Sequence, residues 1–465
     1  MFAALLVAAL GAMQPDSDVR PRAPGTVQAP AVRPLLPQDE DWRAAGDATP
    51  AFKNQSFGSN AQIKTSLGLD ARLHVEHFNN EAFGAIPGGD ESVFLRLTPW
   101  ASVTIDDRVR FYGALKHASV GGREASTPAA IDDPLDLHQG FVELAIGDAI
   151  GQSRNDLLVR LGRQELHYGR GRVLALRAGR IMRDDYDGGL VRYRSGAWVT
   201  DAFGFFGVED GNDMFDNGTD DRTSVSGLYS SGRINSVNVD LYTMRWRRGD
   251  VATFAGPSEL VRKYVGARAS GTMLQHWSWD VEATVQFGSV EATDDDIRGY
   301  QLGGRLARAL GDLPGAPTPT LEFLYSTGDD DPSDGRIDTF LVPLASGLVY
   351  EDVTQPLGPG NLAWLKGSVP FQPVSGLRIA PYVHAYWRVE SEDALYTLFN
   401  TPLLPANAGD GDFVGLDIGF TARYALTEHL SVIAYGGHFD PGDVFSQTGR
   451  NANGTNAILG LTYRY

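Results

Sequence analysis

The stretch WSWDVEATVQF, residues 277–287, sets Trp277, Trp279, Val281, Ala283, Val285 and Phe287 against Ser278, Asp280, Glu282, Thr284 and Gln286. Side chains of an extended strand alternate between its two faces, so this segment is a strand with one apolar and one wholly polar face. The same alternation sets Leu67, Leu69, Ala71, Leu73 and Val75 against Asp70, Arg72, His74 and Glu76. It also sets Leu377, Ile379, Val383, Ala385, Trp387 and Val389 against Arg378, Tyr382, His384, Tyr386, Arg388 and Glu390. A fourth run is expected to carry Val414, Leu416, Ile418, Phe420, Ala422 and Tyr424 on its apolar face.

Period two is shared by soluble sandwiches, so length and connections decide between water and lipid. Many of these segments run ~10 residues or more, the length of a tilted transmembrane strand and beyond the ~5–6 of globular sheets. Tight links are expected near 106–108, 195–197, 232–235, 271–275 and 425–428. Longer acidic, Gly-rich loops are expected at 78–91, 118–136, 209–222, 247–260, 328–360, 391–412 and 440–454. Links 147–156 and 310–319 are longer than their side of this pattern prefers. Short turns at one end and long loops at the other are the outer-membrane signature. The fold class predicted is all-β, a transmembrane antiparallel β-barrel of about 18 strands with short periplasmic turns and long extracellular loops.

Composition agrees. The 465 residues include 54 Gly, 22 Phe, 17 Tyr and 8 Trp yet are only 42% hydrophobic, too little for a water-soluble core of this size. The net charge of −18 argues against a nucleic-acid partner. The absence of cysteine removes disulfides, thiolate metal sites and a lipidated N-terminal cysteine. Residues 1–13, MFAALLVAALGAM, read as a signal peptide without a basic n-region. Residues 14–50 read as a flexible Pro-rich periplasmic lead-in, and 51–465 as the barrel. The chain closes on alternating Ala457, Leu459, Leu461, Tyr463 and Tyr465, similar to the C-terminal signal read by the barrel-assembly machinery. The outer surface would face outer-membrane lipid and lipopolysaccharide.

If the apolar face meets lipid, the other face lines the lumen, because a one-residue slip would put cations into hydrocarbon at ~2–4 kcal/mol each. This register sends Arg72, Arg96, Arg110, Lys116, Arg160, Arg192, Arg194, Arg268, Arg305, Arg378, Arg388 and Arg423 inward. With them go Asp70, Glu76, Glu143, Asp240, Asp280, Glu282, Glu322 and Asp417, so cations exceed anions inside an acidic chain. Between two strands, Arg163, Arg170, Arg172, Arg177, Arg180 and Arg183 form the densest basic stretch, able to fold into the lumen as a constriction. Guanidinium pairs bidentately with carboxylates, so two roles stand open: gripping an anionic solute, or bracing the wall through carboxylates such as Glu143 and Glu165. The candidate substrate path comprises Arg72, Arg96, Arg160, Arg163, Arg172, Arg177, Arg183, Arg192, Arg194, Arg305, Arg378 and Arg388.

Asp329, Asp331 and Asp334 supply oxygens at spacings suited to Ca²⁺ in an extracellular loop, though without the full twelve-residue loop; a solvated loop tip is the other reading. No other cofactor is implied. The sequence carries no GxSxG elbow, and neither His74 nor His384 has a sequence-evident serine partner, so an enzyme is not expected.

Ordered motifs add to this reading. They include Glu40-Asp41-Trp42, Leu135-Asp136-Leu137-His138-Gln139 with Phe141, and Gly162-Arg163-Gln164-Glu165-Leu166 followed by Tyr168-Gly169 and Gly171-Arg172. Arg183, Tyr186-Asp187-Gly188, Val191-Arg192-Tyr193-Arg194, Gly328-Asp329-Asp330-Asp331-Pro332, Pro359-Gly360-Asn361-Leu362 and His438-Phe439 before Pro441-Gly442-Asp443 continue the series. In these residues the chain resembles the bacterial alginate-export family over most of its length after Glu40. The resemblance implies an 18-stranded monomeric barrel whose arginine-rich lumen passes an anionic polysaccharide outward, with periplasmic export partners. His167 and Val173–Arg180 give the basic stretch its own character. An anion-preferring porin for small acidic solutes and a structural barrel with a plugged lumen are the alternatives, and conductance separates the last from the first two.

Overall fold

A computed structural model describes residues 35–40, 42, 49–57, 62–80, 86–122, 132–146, 155–176, 183–253, 256–343, 357–446 and 448–465. The expected signal peptide, the lead-in up to residue 34, and Arg177 and Arg180 lie outside them.

Eighteen strands close into one barrel: β1 Ile63–Asn80, β2 Ile86–Ile105, β3 Val109–Gly121, β4 Asp133–Ile146, β5 Asn155–Gln164, β6 Tyr186–Ser195, β7 Trp198–Glu209, β8 Gly218–Ile234, β9 Val237–Thr253, β10 Gly256–Met273, β11 Trp277–Val290, β12 Asp295–Arg308, β13 Thr320–Ser326, β14 Leu362–Ser368, β15 Leu377–Arg388, β16 Phe413–Ala425, β17 Leu430–Pro441 and β18 Gly454–Arg464. Each pairs antiparallel with its neighbours in sequence, and β1 meets β18 from Asp70↔Arg464 to Asn79↔Thr455. Closure leaves no free sheet edge, the condition for backbone to cross lipid.

The alternation fixes which face looks out. On β11, Val281, Val285 and Phe287 are exposed while Asp280, Glu282, Thr284 and Gln286 are buried. On β1, Leu73 and Val75 face out, and Asp70 and His74 face in. On β16 the expectation fails at one residue. Val414 is fully buried inside, because the register slips between Tyr386 and Trp387 of β15, which pair with Gly415 and Phe413 and leave Val414 as a bulge. An extra residue reverses the facing of its neighbour.

Connections alternate as expected, but two expected loops are largely strand; within 78–91, β1 runs to Asn80 and β2 starts at Ile86. The stretch 247–260, expected as a loop, is strand: β9 continues to Thr253 and β10 starts at Gly256. The strands on this side outrun the membrane, and their polar ends only look like loop in sequence. Among the described residues the true long connections, 165–185, 327–361 and 389–412, turn back into the barrel. Their Leu166, Leu174, Phe340, Leu341, Leu357, Leu395, Leu398 and Leu404 pack on inward Tyr229, Tyr242, Tyr264, Trp364 and Tyr386. This internal apolar cluster reaches from the long loops down to Tyr229 and Tyr242 on β8 and β9.

Candidate functional site in the lumen

The basic stretch does enter the barrel. Between β5 and β6 the chain bends at Gly169 (φ 57°) and Gly171 (φ 73°), left-handed conformations that cost glycine least. At Gly169 a Cβ would also lie 2.7 Å from the Tyr229 hydroxyl. Tyr168 lies between the rings of Phe203 and Tyr229, with centroids 5.3 and 4.5 Å away, and its hydroxyl donates to Asp201 at 3.1 Å. This stacking anchors the segment to the wall.

From that anchor the arginines reach wall carboxylates. Arg172 donates to Glu282 at 2.6 Å and Asp280 at 3.1 Å, and Arg170 to Glu322 at 3.0 Å. On the wall, Arg192 grips Asp201 through Nε and Nη2 at 2.7 and 2.8 Å. Arg163 grips Asp187 at 2.9 Å twice. Arg96 meets Asp70 at 2.6 Å, and Arg160 and Arg110 share Glu143 at 2.8 and 2.9 Å. Arg268 bridges Asp280 and Asp240 at 2.6 and 3.0 Å. Arg388 instead donates to the carbonyls of Ala408 and Gly411 at 3.0 and 2.7 Å, pinning an in-folded loop. The sequence's cationic excess is thus largely matched, and Asp187 and Asp201 are carboxylates the sequence reading did not count.

The wall from β12 to β16 is different. One register row reads Arg305, Glu322, Lys366, His384, Asp417 from strand to strand, and Arg378 stands directly opposite Arg423. Arg305 is 3.7 Å from Glu322. Among the described residues neither Lys366 nor Arg378 forms an ion pair; Lys366 lies 4.4 Å from the Tyr382 ring centre. Arg72 and Arg194 are half-buried on the inward face.

The N-terminal lead-in supplies residues that sequence reasoning missed. Leu35 and Leu36 pack on Leu176, and Gln38 is 1% exposed, its amide donating to the Glu165 carbonyl at 3.0 Å. Lumen guanidiniums receive the segment: Arg183 donates to the Leu35 carbonyl at 2.9 Å, Arg110 to that of Gln38 at 2.8 Å, and Arg160 to the Asp39 carboxylate at 3.2 Å. Glu40 accepts from Trp42 and from Lys53, whose fully buried ammonium lies 3.9 Å from the Trp100 ring centre. Residues 35–40 of the expected lead-in are thus held inside the barrel. Only the motif Glu40-Asp41-Trp42 hinted at it. Between this segment and Tyr168, Arg192 and Arg268 lies a cavity of about 60 Å³.

Deeper in, His138 contacts Glu165 at 2.9 Å and Asp185 at 3.1 Å, and Arg183 also reaches Glu165 at 3.3 Å. His167 lines the cavity. Its enclosure draws its pKa down to about 4, with Arg183 acting in the same direction.

The candidate calcium ligands do not converge. Asp331 accepts from Ser333 at 2.6 Å, Asp334 from the Arg336 backbone at 2.8 Å, and burial raises Asp329 to about 6. The cation among these acids is Arg336, 2.8 Å from Asp338 and 3.5 Å from Asp334. Among the described residues no group of three or more acidic, histidine or cysteine side chains is placed to hold a metal ion.

Comparison with known proteins places this geometry. The family described as alginate export is matched over residues 63–457. No curated protein matches the sequence. Among solved structures, Acinetobacter baumannii OccAB1 aligns with a TM-score of 0.59 at 12% identity, over 86% of this chain and 96% of its own. A. baumannii OccAB2 gives 0.57 at 10% identity over 88% and 100%. Pseudomonas aeruginosa OccK2 (OpdF) gives 0.57 at 13% over 86% and 97%. At such identities the likeness is one of fold.

Proposed function

The chain belongs to the alginate-export family of outer-membrane β-barrels, and from that membership we propose that it is a channel passing an anionic polysaccharide such as alginate outward through its arginine-rich lumen. The observation that carries this is the reception of residues 35–39: Arg110, Arg160 and Arg183 hold two carbonyls and a carboxylate of a segment that enters the lumen and turns through a short 3-10 helix at Pro37–Asp39. An extended polymer bearing a carboxylate on each sugar presents the same acceptors at regular intervals. Guanidinium stays charged at any physiological pH, and its planar fork suits a carboxylate. Passage requires that each site bind well enough to admit the chain and weakly enough to release it. Lys366 and Arg378, not committed to wall carboxylates, meet that condition better than the doubly paired Arg172.

The seated N-terminal segment favours a second reading, a barrel whose lumen is closed and whose arginines only brace it. Planar-bilayer conductance of refolded protein decides between them. The channel reading expects an anion-selective current that alginate oligomers block from the periplasmic side, with selectivity reduced in Lys366→Gln/Arg378→Gln. Current unaffected by uronate oligomers but blocked by small acids points to a small-anion porin. Absence of current, with residues 35–42 present or deleted, points to the structural barrel.

A further inference from the structure

On the outer wall, Arg245 of β9 stands directly opposite Lys263 of β10, Lys263 opposite Phe287 of β11, and Phe287 opposite Arg298 of β12. All four face away from the lumen, since their neighbours Met244, Arg262, Gln286 and Ile297 are buried inside. Below them the outward face is apolar: Leu241, Val265, Val285 and Tyr300, then down β11 to the two tryptophans Trp277 and Trp279. From Trp277 to Phe287 the strand has the ~9–11-residue length that crosses hydrocarbon. The row therefore lies where the apolar band ends on the long-loop side, at the headgroup level of the outer leaflet.

Cations at this depth need a counterion. Like charges directly opposite on neighbouring strands repel, so the Arg245–Lys263 pair is unfavourable unless an anion lies between them. The wall supplies little. Glu259 is committed to Arg247 at 2.6 Å and stands 3.9 Å from Arg245. Arg298 meets Asp296 at 3.2 Å, both about two-thirds exposed. Lys263 forms no ion pair among the described residues, its ammonium lying 6.0 Å from the Phe287 ring centre. A compact dianion bridging guanidinium and ammonium resolves the repulsion, and phosphate is the group for which such a pair is suited.

We propose that Arg245, Lys263 and Arg298 bind the phosphorylated disaccharide headgroup of lipopolysaccharide. One phosphate is held between Arg245 and Lys263. The other meets Arg298, two strand spacings (about 10 Å) from Lys263 across Phe287. The acyl chains lie on Leu241, Val265 and Val285. The site is independent of what the lumen carries.

The test is native mass spectrometry of the full barrel in detergent, titrated with bisphosphorylated lipid A, fully dephosphorylated lipid A and inorganic phosphate. The expected result is retention of the bisphosphorylated lipid, at least tenfold weaker binding of the dephosphorylated one, and no competition from millimolar phosphate. Arg245→Gln/Lys263→Gln/Arg298→Gln should lose the preference for the phosphorylated lipid, and Lys263→Gln alone should lose part of it. A heat-modifiable band on gels shows that each variant is folded; should the triple variant misfold, the single variant and the wild-type preference still decide. Equal binding of both lipids by the wild type, or a preference unchanged in folded variants, overturns the proposal. So does competition by free phosphate, which would reduce the row to a general anion site.

Discussion

The two sides of the lumen use cations differently. From β4 to β11, arginines are locked in short, often bidentate pairs, as in Arg192–Asp201 and Arg163–Asp187. From β12 to β16, Arg305 has a 3.7 Å contact, and Lys366 and Arg378 have no ion pair among the described residues. The difference teaches that a count of inward arginines does not measure a channel's affinity for anions. A guanidinium that fixes an in-folded segment to the wall is spent as structure, while one left with water is available to a passing solute.

Removing a carboxylate on the paired side should give the largest effect. Glu143, 1% exposed, serves both Arg110 and Arg160. Glu143→Gln replaces the carboxylate they share by a neutral amide, leaving Arg110 with the Gln38 carbonyl and Arg160 with the partly exposed Asp39, and breaking a buried pair from one side costs about 3–5 kcal/mol. The temperature at which the folded band converts on gels should fall markedly. An unchanged transition would mean that water already shares this site, and the contrast between the sides would weaken.

Releasing the N-terminal segment comes next. Asp39 is partly exposed, so its bond to Arg160 is worth no more than ~1 kcal/mol, about a fivefold change in the seated fraction. Asp39→Asn should raise open-channel occupancy by about that factor, and deletion of residues 35–42 by more. Equal currents in all three proteins would show that the segment does not obstruct the path.

On the thinly paired side the prediction reverses. Arg378→Gln should leave stability within ~0.5 kcal/mol, as for substitutions away from buried networks. It should lower anion preference, since a unit charge ~4 Å away in water is worth ~1 kcal/mol, roughly fivefold in local anion occupancy. A stability loss like that of Glu143→Gln would place Arg378 among the bracing residues.

How much of this was legible follows from which interactions are local. Strand period and facing were readable on β1, β11 and β15, because lipid outside and charge inside leave no tolerance for a slip. Val414 was not, since a bulge appears only in the pairing of two strands. Charge density allowed Arg170 and Arg172 a place in the barrel but did not decide between the pore and a position over it, because their partners Glu322, Asp280 and Glu282 lie over a hundred residues on. The seating of Leu35 and Gln38 left no period to read. It depends on Arg183 and Glu165, 148 and 127 residues away, and polar contacts to backbone carbonyls carry no side-chain signature.

Near pH 6 His167 gives the smallest effect, and it tests whether the in-folded segment is fixed or docked. Its imidazole is held down to about 4 in the enclosed lumen, below its ordinary value near 6.5. A histidine with a depressed pKa stays neutral when docked, so the undocked state takes up the proton first as pH falls. Docking is complete above about 6.5 and weakens progressively toward 4, by less than about 1 kcal/mol at pH 6. Hydrogen exchange of residues 165–176 should therefore quicken as pH is lowered through this window, after correction for the intrinsic rate. His167→Gln should flatten that dependence while leaving β5 and β6 protected. If the variant keeps the pH dependence, the titrating group is another, and Glu165 with His138 becomes the contact to change; if neither protein responds, the segment is as fixed as the wall that its arginines grip.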